Sequence, residues 1–318
     1  MKAIKLISYQ LIILFISLFI VEIFLRISNS DMNNYDIEMW RYAKELKISD
    51  PVLGHKHLKN KSSILQGVEI KLNSLGMRSE EDNSVGNKIL FLGSSISLGW
   101  GVKNNDSYPM LIQKKLESNK LNYKILNGSV GNYNTHRYVN NFLINQKAID
   151  VDLIVVNYFI NDVETLPINN SNWFVKNSQL IASLSIAYKK LTSKANGDLK
   201  SYYNKLYEYD NFSFLEMRNS LKKLSEYCHK KKIALILVVI PDIHFLEDYP
   251  FQPIHEKMNE ISISHNFHFH DMLKKMKGIP FEELQIIRGD SHPNEYGHKI
   301  MAESLYPKLH EIIVKLNK

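Results

Sequence analysis

Beyond Lys88 the sequence alternates short apolar runs with helical segments, and no other feature constrains the fold so tightly. Ile89–Leu92, Lys124–Leu126, Leu153–Tyr158, Ile233–Ile240 and Phe267–Phe269 read as strands. Three of them are near-continuous apolar runs, the pattern of strands buried on both faces of a parallel sheet. Strands that alternate with helices imply an α/β fold: a three-layer α/β/α sandwich around a mainly parallel sheet. The segment from Ser213 is the clearest helix. Ser213 and Glu216 have capping-box spacing, and Met217, Leu221, Leu224 and Cys228 follow on one face. That spacing makes Cys228 a small core residue and not a nucleophile. In sheets of this kind ligands bind beyond the carboxyl ends of the strands, so the loops there are the places to look for chemistry.

The N-terminus poses a separate problem. Ile7–Leu25 is a 19-residue mostly apolar run, interrupted by Ser8, Gln10, Ser17 and Glu22. As a helix it would span about 28 Å, close to the ~30 Å of a bilayer core. Three readings compete. An uncleaved signal anchor over 1–26 suits a run that is apolar on nearly every face. A cleaved signal peptide would use Ser28-Asn29-Ser30, but that site lies well beyond the run and behind Arg26. The third is a buried helix of a soluble protein. Lys2 and Lys5 before the run, against Arg26 after it, favour an internal N-terminus and an exported domain. The expected location is therefore a cell membrane, spanned once, with the larger domain periplasmic or extracellular.

Residues 27–85 show no strong period and carry the turn signals Asp50-Pro51, Gly54, Gly67 and Gly76, so they read as a linker with irregular packing against the domain. Residues 86–318 form the main domain. Within it, 163–212 interrupts the alternation with Trp173, Phe174, Tyr188, Tyr202, Tyr203, Tyr207 and Tyr209. Leu180, Ile181, Leu184, Tyr188 and Leu191 fit one helical face there, which predicts a helical insert with a small core of its own. A second reading makes it a cap whose aromatics stack on sugar rings. Composition excludes some classes. The 318 residues are 44% hydrophobic and 23% charged, which rules out disorder throughout. The single cysteine allows no internal disulfide and no cysteine-based zinc site. The net charge of +7 is spread without long basic runs, so no nucleic-acid partner is expected.

Four polar signals fall at strand ends. The first strand runs into Gly93-Ser94-Ser95, where glycine permits a sharp turn and backbone N–H groups are left free to bind an oxyanion. The second leads to Asn127-Gly128-Ser129-Val130-Gly131, and the third to Phe159-Ile160-Asn161. Near the C-terminus, Asp290-Ser291-His292-Pro293-Asn294 precedes a helix near Glu295–Leu316, with a possible break at Pro307. An Asp two residues before a His can fold back onto its Nδ1–H, fix the tautomer and stabilise the imidazolium. Proline after the histidine suits the first turn of that helix. Asp242-Ile243-His244 is a competing Asp-x-His at the same sheet edge. His268 and His270, with Asp271 beside them, share a strand face but lack a clear further metal ligand. His298 reads as a first-turn helix residue.

Taken together these residues resemble the SGNH hydrolases, also called the GDSL esterase/lipase family, over about Lys88–Leu316. The family's first block resembles Gly93-Ser94-Ser95, its second-block glycine Gly131, its third-block asparagine Asn161, and its fifth block Asp290 and His292. Asn73-Ser74-Leu75-Gly76-Met77-Arg78 resembles a stretch upstream of the catalytic domain in membrane-anchored bacterial members. Two positions depart from the pattern: Ser94 replaces an aspartate, and Phe159 replaces the third-block glycine. The resemblance implies a flavodoxin-like sheet order and an acyl-enzyme mechanism. Ser95 would be the nucleophile, His292 the base and Asp290 its orienter. The oxyanion would be held by the N–H groups of Ser95 and Gly131 and the amide of Asn161. No metal or organic cofactor is implied. The expected substrate is a small ester or an acyl ester of a cell-envelope glycan. Two alternatives stand beside it: an O-acyltransferase using the same site, and an inactive glycan-binding module. The sequence leaves the oligomeric state open.

Overall fold

The computed structural model describes residues 2–81, 86–168, 172–192 and 198–317. Helix α1 (Lys2–Ser28) is followed by α2 (Tyr35–Glu45) and two antiparallel hairpins: β1 (Lys47–Asp50) with β2 (Gly54–His57), and β3 (Lys61–Leu65) with β4 (Val68–Leu72). Residues 27–81 thus hold regular elements where the sequence shows no strong period. This stretch has its own small core, in which Tyr42, Leu46, Leu65, Ile70 and Leu72 close against Leu98 and Trp100 of the main domain.

The main domain is the expected three-layer sandwich. Its sheet contains β5 (Asn87–Leu92), β6 (Tyr123–Asn127), β7 (Leu153–Phe159), β8 (Ala234–Ile240) and β9 (His268–Asp271), all parallel, in the order β6-β5-β7-β8-β9. Every residue of β7 is buried, as its unbroken apolar run demands of a strand covered on both faces. Ile89 sits between Ile125 of β6 and Leu153 of β7, which fixes the register at the centre. The chain leaves β5 for β6 on one side, then returns across β5 to β7. That reversal opens a crevice beyond the carboxyl ends of β5 and β7.

A short helix α3 (Ser95–Leu98) caps β5. Next, α4 (Tyr108–Ser118) packs with the C-terminal helix Glu295–Leu316 over one face of the sheet. That C-terminal helix runs straight through Pro307. On the other side α5 (Thr135–Asn141) lies against the long helix Phe212–Lys231. This long helix starts earlier than its capping-box spacing predicts. Asn211, not Ser213, is its cap and accepts the Ser213 N–H at 2.9 Å. Met217, Leu221, Leu224 and Cys228 are buried, and burial pushes the Cys228 thiol up to about 12, which leaves it unreactive.

The insert forms α6 (Trp173–Asn177), α7 (Gln179–Thr192) and α8 (Leu199–Leu206), with 169–171 and 193–197 outside the described residues. Its predicted private core does not form: Leu184, Tyr188 and Leu191 are exposed. Tyr203 and Tyr207 instead join the main core. The insert packs on the end of α1 and on α2, where Trp40 Nε1 donates to the Val175 carbonyl at 2.7 Å.

Candidate active site

The turn after β5 is built by close packing. A Cβ on Gly93 would come within 2.7 Å of Ser97 Oγ and 3.1 Å of Asn157 Cβ, so only glycine fits. Buried asparagines at the ends of the flanking strands hold the turn. Asn127 Nδ2 donates to the Ser97 carbonyl at 2.8 Å, and Asn157 Nδ2 donates to the Leu92 carbonyl at 3.0 Å. Tyr108 Oη donates to Asn157 Oδ1 at 2.6 Å from the neighbouring helix. Ser95 thus occupies the first turn of α3, where backbone N–H groups have no intrahelical partner.

Ser95, His292 and Asp290 come together. His292 Nδ1 lies 2.6 Å from Asp290 Oδ1, and His292 Nε2 lies 2.7 Å from Ser95 Oγ. The carboxylate can only accept, so Nδ1 carries the proton and bare Nε2 accepts from the serine hydroxyl. Asp290 Oδ1 also accepts the His292 backbone N–H at 3.2 Å, which closes the Asp-x-His turn on itself. Both side chains are buried, while Ser95 stays partly accessible at the cleft. Pro293 precedes the cap of the C-terminal helix and is not in its first turn. That cap is Asn294, which accepts the Gly297 N–H at 3.1 Å.

The cleft has a cavity volume of about 140 Å³ and is lined by Ser95, His292, Asn132, Asn161, Phe159 and Glu164, among others. Asn161 is exposed there, with no hydrogen-bond partner for its amide among the described residues. Gly131 is placed differently from expectation. It does not line the cleft, and its N–H donates to Tyr42 Oη at 2.9 Å. A Cβ on Gly131 would meet Tyr42 at 2.6 Å. Its neighbour Asn132 does line the cleft, in a left-handed conformation at φ 62°.

The competing pair also forms. His244 Nδ1 lies 2.7 Å from Asp242 Oδ1, and the hydrogen bond to Asp242 holds its pKa above the usual imidazole value. His244 packs against Phe281, with ring centroids 4.4 Å apart, and does not line the cleft. His270 is bonded to Ser304 at 2.9 Å. Among the described residues no three His, Cys, Asp or Glu side chains gather as metal ligands. His298 is fully buried and accepts the Tyr108 N–H at 3.1 Å.

Sequence reasoning missed the contribution of residues 27–85. Tyr35 and Met39 line the cleft, and the Tyr35 ring lies 5.6 Å from that of His292. Arg78 is 1% exposed and donates to the carbonyls of Leu98, Gly99, Glu69 and Val102. The upstream stretch Asn73–Arg78 thus ties the turn after the Ser95 helix to β4. Burial holds the Arg78 guanidinium down to about 10, still protonated at neutral pH. The available signal was the resemblance of Asn73–Arg78 to a stretch that precedes the catalytic domain in other chains.

No family model matches the sequence, and no curated protein matches it. Among solved structures the chain is similar to an acetyl xylan esterase from Geobacillus stearothermophilus, at 18% identity over 71% of this chain and 95% of that one, with a TM-score of 0.47. It is also similar to a lipolytic protein of the G-D-S-L family from Veillonella parvula, at 17% identity over 69% and 96%, TM-score 0.43. A third is a lipolytic protein of the same family from Desulfitobacterium hafniense, at 12% identity over 70% and 98%, TM-score 0.44.

Proposed function

We propose that the chain is a serine ester hydrolase of the SGNH type, attached to a membrane by α1 with its larger domain on the exported side. The observation that carries this reading is the unbroken line Asp290–His292–Ser95, with hydrogen bonds of 2.6 and 2.7 Å. Ser95 Oγ attacks the acyl carbonyl while His292 Nε2 takes its proton. Asp290 holds the tautomer and stabilises the imidazolium. His292 then passes the proton to the leaving alcohol, and the acyl group remains on Ser95. A water deprotonated by His292 releases the acid. The Ser95 N–H and the Asn161 amide supply donors for the tetrahedral oxyanion. The small cleft, closed on one side by Phe159 and edged by Asn132, Asn161 and Glu164, suits a short acyl group on a polar alcohol. A small ester or an acylated envelope glycan has that chemistry.

Fluorophosphonate labelling followed by peptide mapping tests the reading. The label belongs on Ser95, and Ser95→Ala abolishes both labelling and p-nitrophenyl acetate hydrolysis. His292→Ala reduces both nearly as far, because the two residues act as a unit. A normal rate in His292→Ala, with activity lost in His244→Ala, would assign the chemistry to the other pair. If acetate leaves Ser95 faster to a sugar hydroxyl than to water, the enzyme is a transferase built on the same site.

A further inference from the structure

The loop after β6 is gripped from outside by the segment that follows α2. Lys47 Nζ donates to the Gly131 carbonyl at 2.7 Å, and His55 Nε2 donates to the same oxygen at 3.1 Å. Lys47 is 6% exposed. Its Nζ lies 3.9 Å from the centroid of the Tyr42 ring, no carboxylate pairs with it among the described residues, and burial pushes its pKa well below the usual lysine value. A buried lysine ordinarily keeps a counter-charge. Here its polar contact is a peptide oxygen beside the cleft.

The preceding peptide is pinned as firmly. His57 Nδ1 donates to the Gly76 carbonyl at 2.8 Å, so its Nε2 is bare and accepts from Tyr42 Oη at 2.5 Å. Burial keeps His57 neutral, with its pKa lowered to about 3. Tyr42 Oη in turn accepts the Gly131 N–H. This chain uses up the Gly131 N–H and leaves the next one, that of Asn132, as the loop's remaining donor beside the cleft. In a trans peptide the N–H points opposite to the C=O. With the Gly131 carbonyl drawn toward Lys47 and His55, the Asn132 N–H points away from them. Asn132 lines both the cavity around Lys47 and His55 and the Ser95–His292 cleft, so the peptide stands between the two. The Asn132 N–H has no partner among the described residues. Hydrogen bonds received by a carbonyl also polarise its amide and strengthen the N–H as a donor.

We propose that Lys47 and His55 are positioning residues: through the Gly131 carbonyl they aim and polarise the Asn132 N–H, which takes the backbone-donor place that the resemblance gave to Gly131. The inference rests on the serine-hydrolase reading above.

The test uses the full chain in detergent and compares Lys47→Met and His55→Phe with the parent. Three quantities are read for each: kcat and KM on p-nitrophenyl acetate, the rate of fluorophosphonate labelling at Ser95, and the melting temperature. Loss of a whole oxyanion donor costs about 10²–10³ in kcat, so loss of its aim is expected to cost about tenfold or more. KM should stay within about twofold, because the donor acts on charge that appears only in the transition state. Labelling at Ser95 should slow in parallel. Ethylammonium added to Lys47→Ala should restore part of kcat, since the cavity beside Lys47 can admit it. A parent chain that takes no label at Ser95 overturns the hydrolase reading and this inference together. A labelled parent whose folded variants keep normal kcat, or change only KM, overturns the positioning role alone.

Discussion

Phe159 ends β7 where the resemblance calls for glycine, and it lines the cleft while only 7% exposed. A ring at this position would take space that a smaller residue leaves to the acyl chain. Phe159→Ala should therefore raise kcat/KM for p-nitrophenyl butyrate relative to the acetate by about tenfold or more, since one methylene in a fitted pocket is worth roughly 10–200-fold. Parent and variant are compared on the acetate–butyrate pair, and an unchanged ratio would mean that the ring does not bound the acyl site. The gathering of Ser95, His292, Asp290 and Asn161 at one sheet edge was legible in the sequence because each follows a strand or precedes a helix, where local pattern marks the position. Lys47, His55 and Tyr42 were not. They reach Gly131 across separations of 84, 76 and 89 residues, and no local period records such a contact. Gly131 was misread for the same reason: a sequence shows that an N–H exists but not who has taken it.

Between α1 and the sheet, the two hairpins show why whole elements escape a reading that finds the strands so readily. Strands β5, β7 and β8 announce themselves by apolar runs of four to seven residues, whereas β3 and β4 are five residues each and half exposed. Their two-residue turn is Gln66-Gly67, with φ of 49° and 75°. Both residues are left-handed, as a type I′ hairpin requires, but glutamine at the first position lacks the Asn-Gly signal that marks such turns. These hairpins matter because Arg78, just beyond β4, bonds the Glu69 carbonyl of β4 and the buried carbonyls of Leu98, Gly99 and Val102 at and after the Ser95 helix. Arg78→Met keeps the stem but leaves those carbonyls without their charged donor. An unsatisfied buried group costs about 1–3 kcal/mol, so the variant should lose at least about 3 kcal/mol. For a domain of this size that is a fall of roughly 6 °C or more in Tm. Thermal melting of the two proteins in the same detergent decides it, and equal Tm values would show that water or a shifted loop replaces the guanidinium at no cost.

Across the whole molecule, α1 and the insert are one construction. An 18-residue window within Ile4–Ser28 reaches a mean hydropathy of 2.5, and the helix exposes its apolar side chains almost all round, a character that suits a helix solvated by lipid. Near its end Glu22 turns from that surface to the N-terminus of α7. It accepts the Gln179 N–H at 2.9 Å, the Leu180 N–H at 2.8 Å and the Ser178 hydroxyl at 2.9 Å. In the proposed membrane-attached arrangement, a carboxylate satisfied in this way would mark where the helix leaves the apolar layer, with Ile4–Val21, about 27 Å at 1.5 Å per residue, left to cross it. The cleft, by contrast, draws on nothing before Tyr35. A chain beginning at Asn29 should therefore be soluble and hydrolyse p-nitrophenyl acetate within about twofold of the full chain. It should nonetheless lose its cap on α7, worth about 1 kcal/mol, and the amides of 179–182 should exchange faster with deuterium. The full chain should stay in the membrane fraction through a high-salt wash. Release by salt alone would show that α1 lies on the membrane instead of crossing it. An inactive soluble chain with an intact sheet would show that the grip of Glu22 on the insert reaches the cleft.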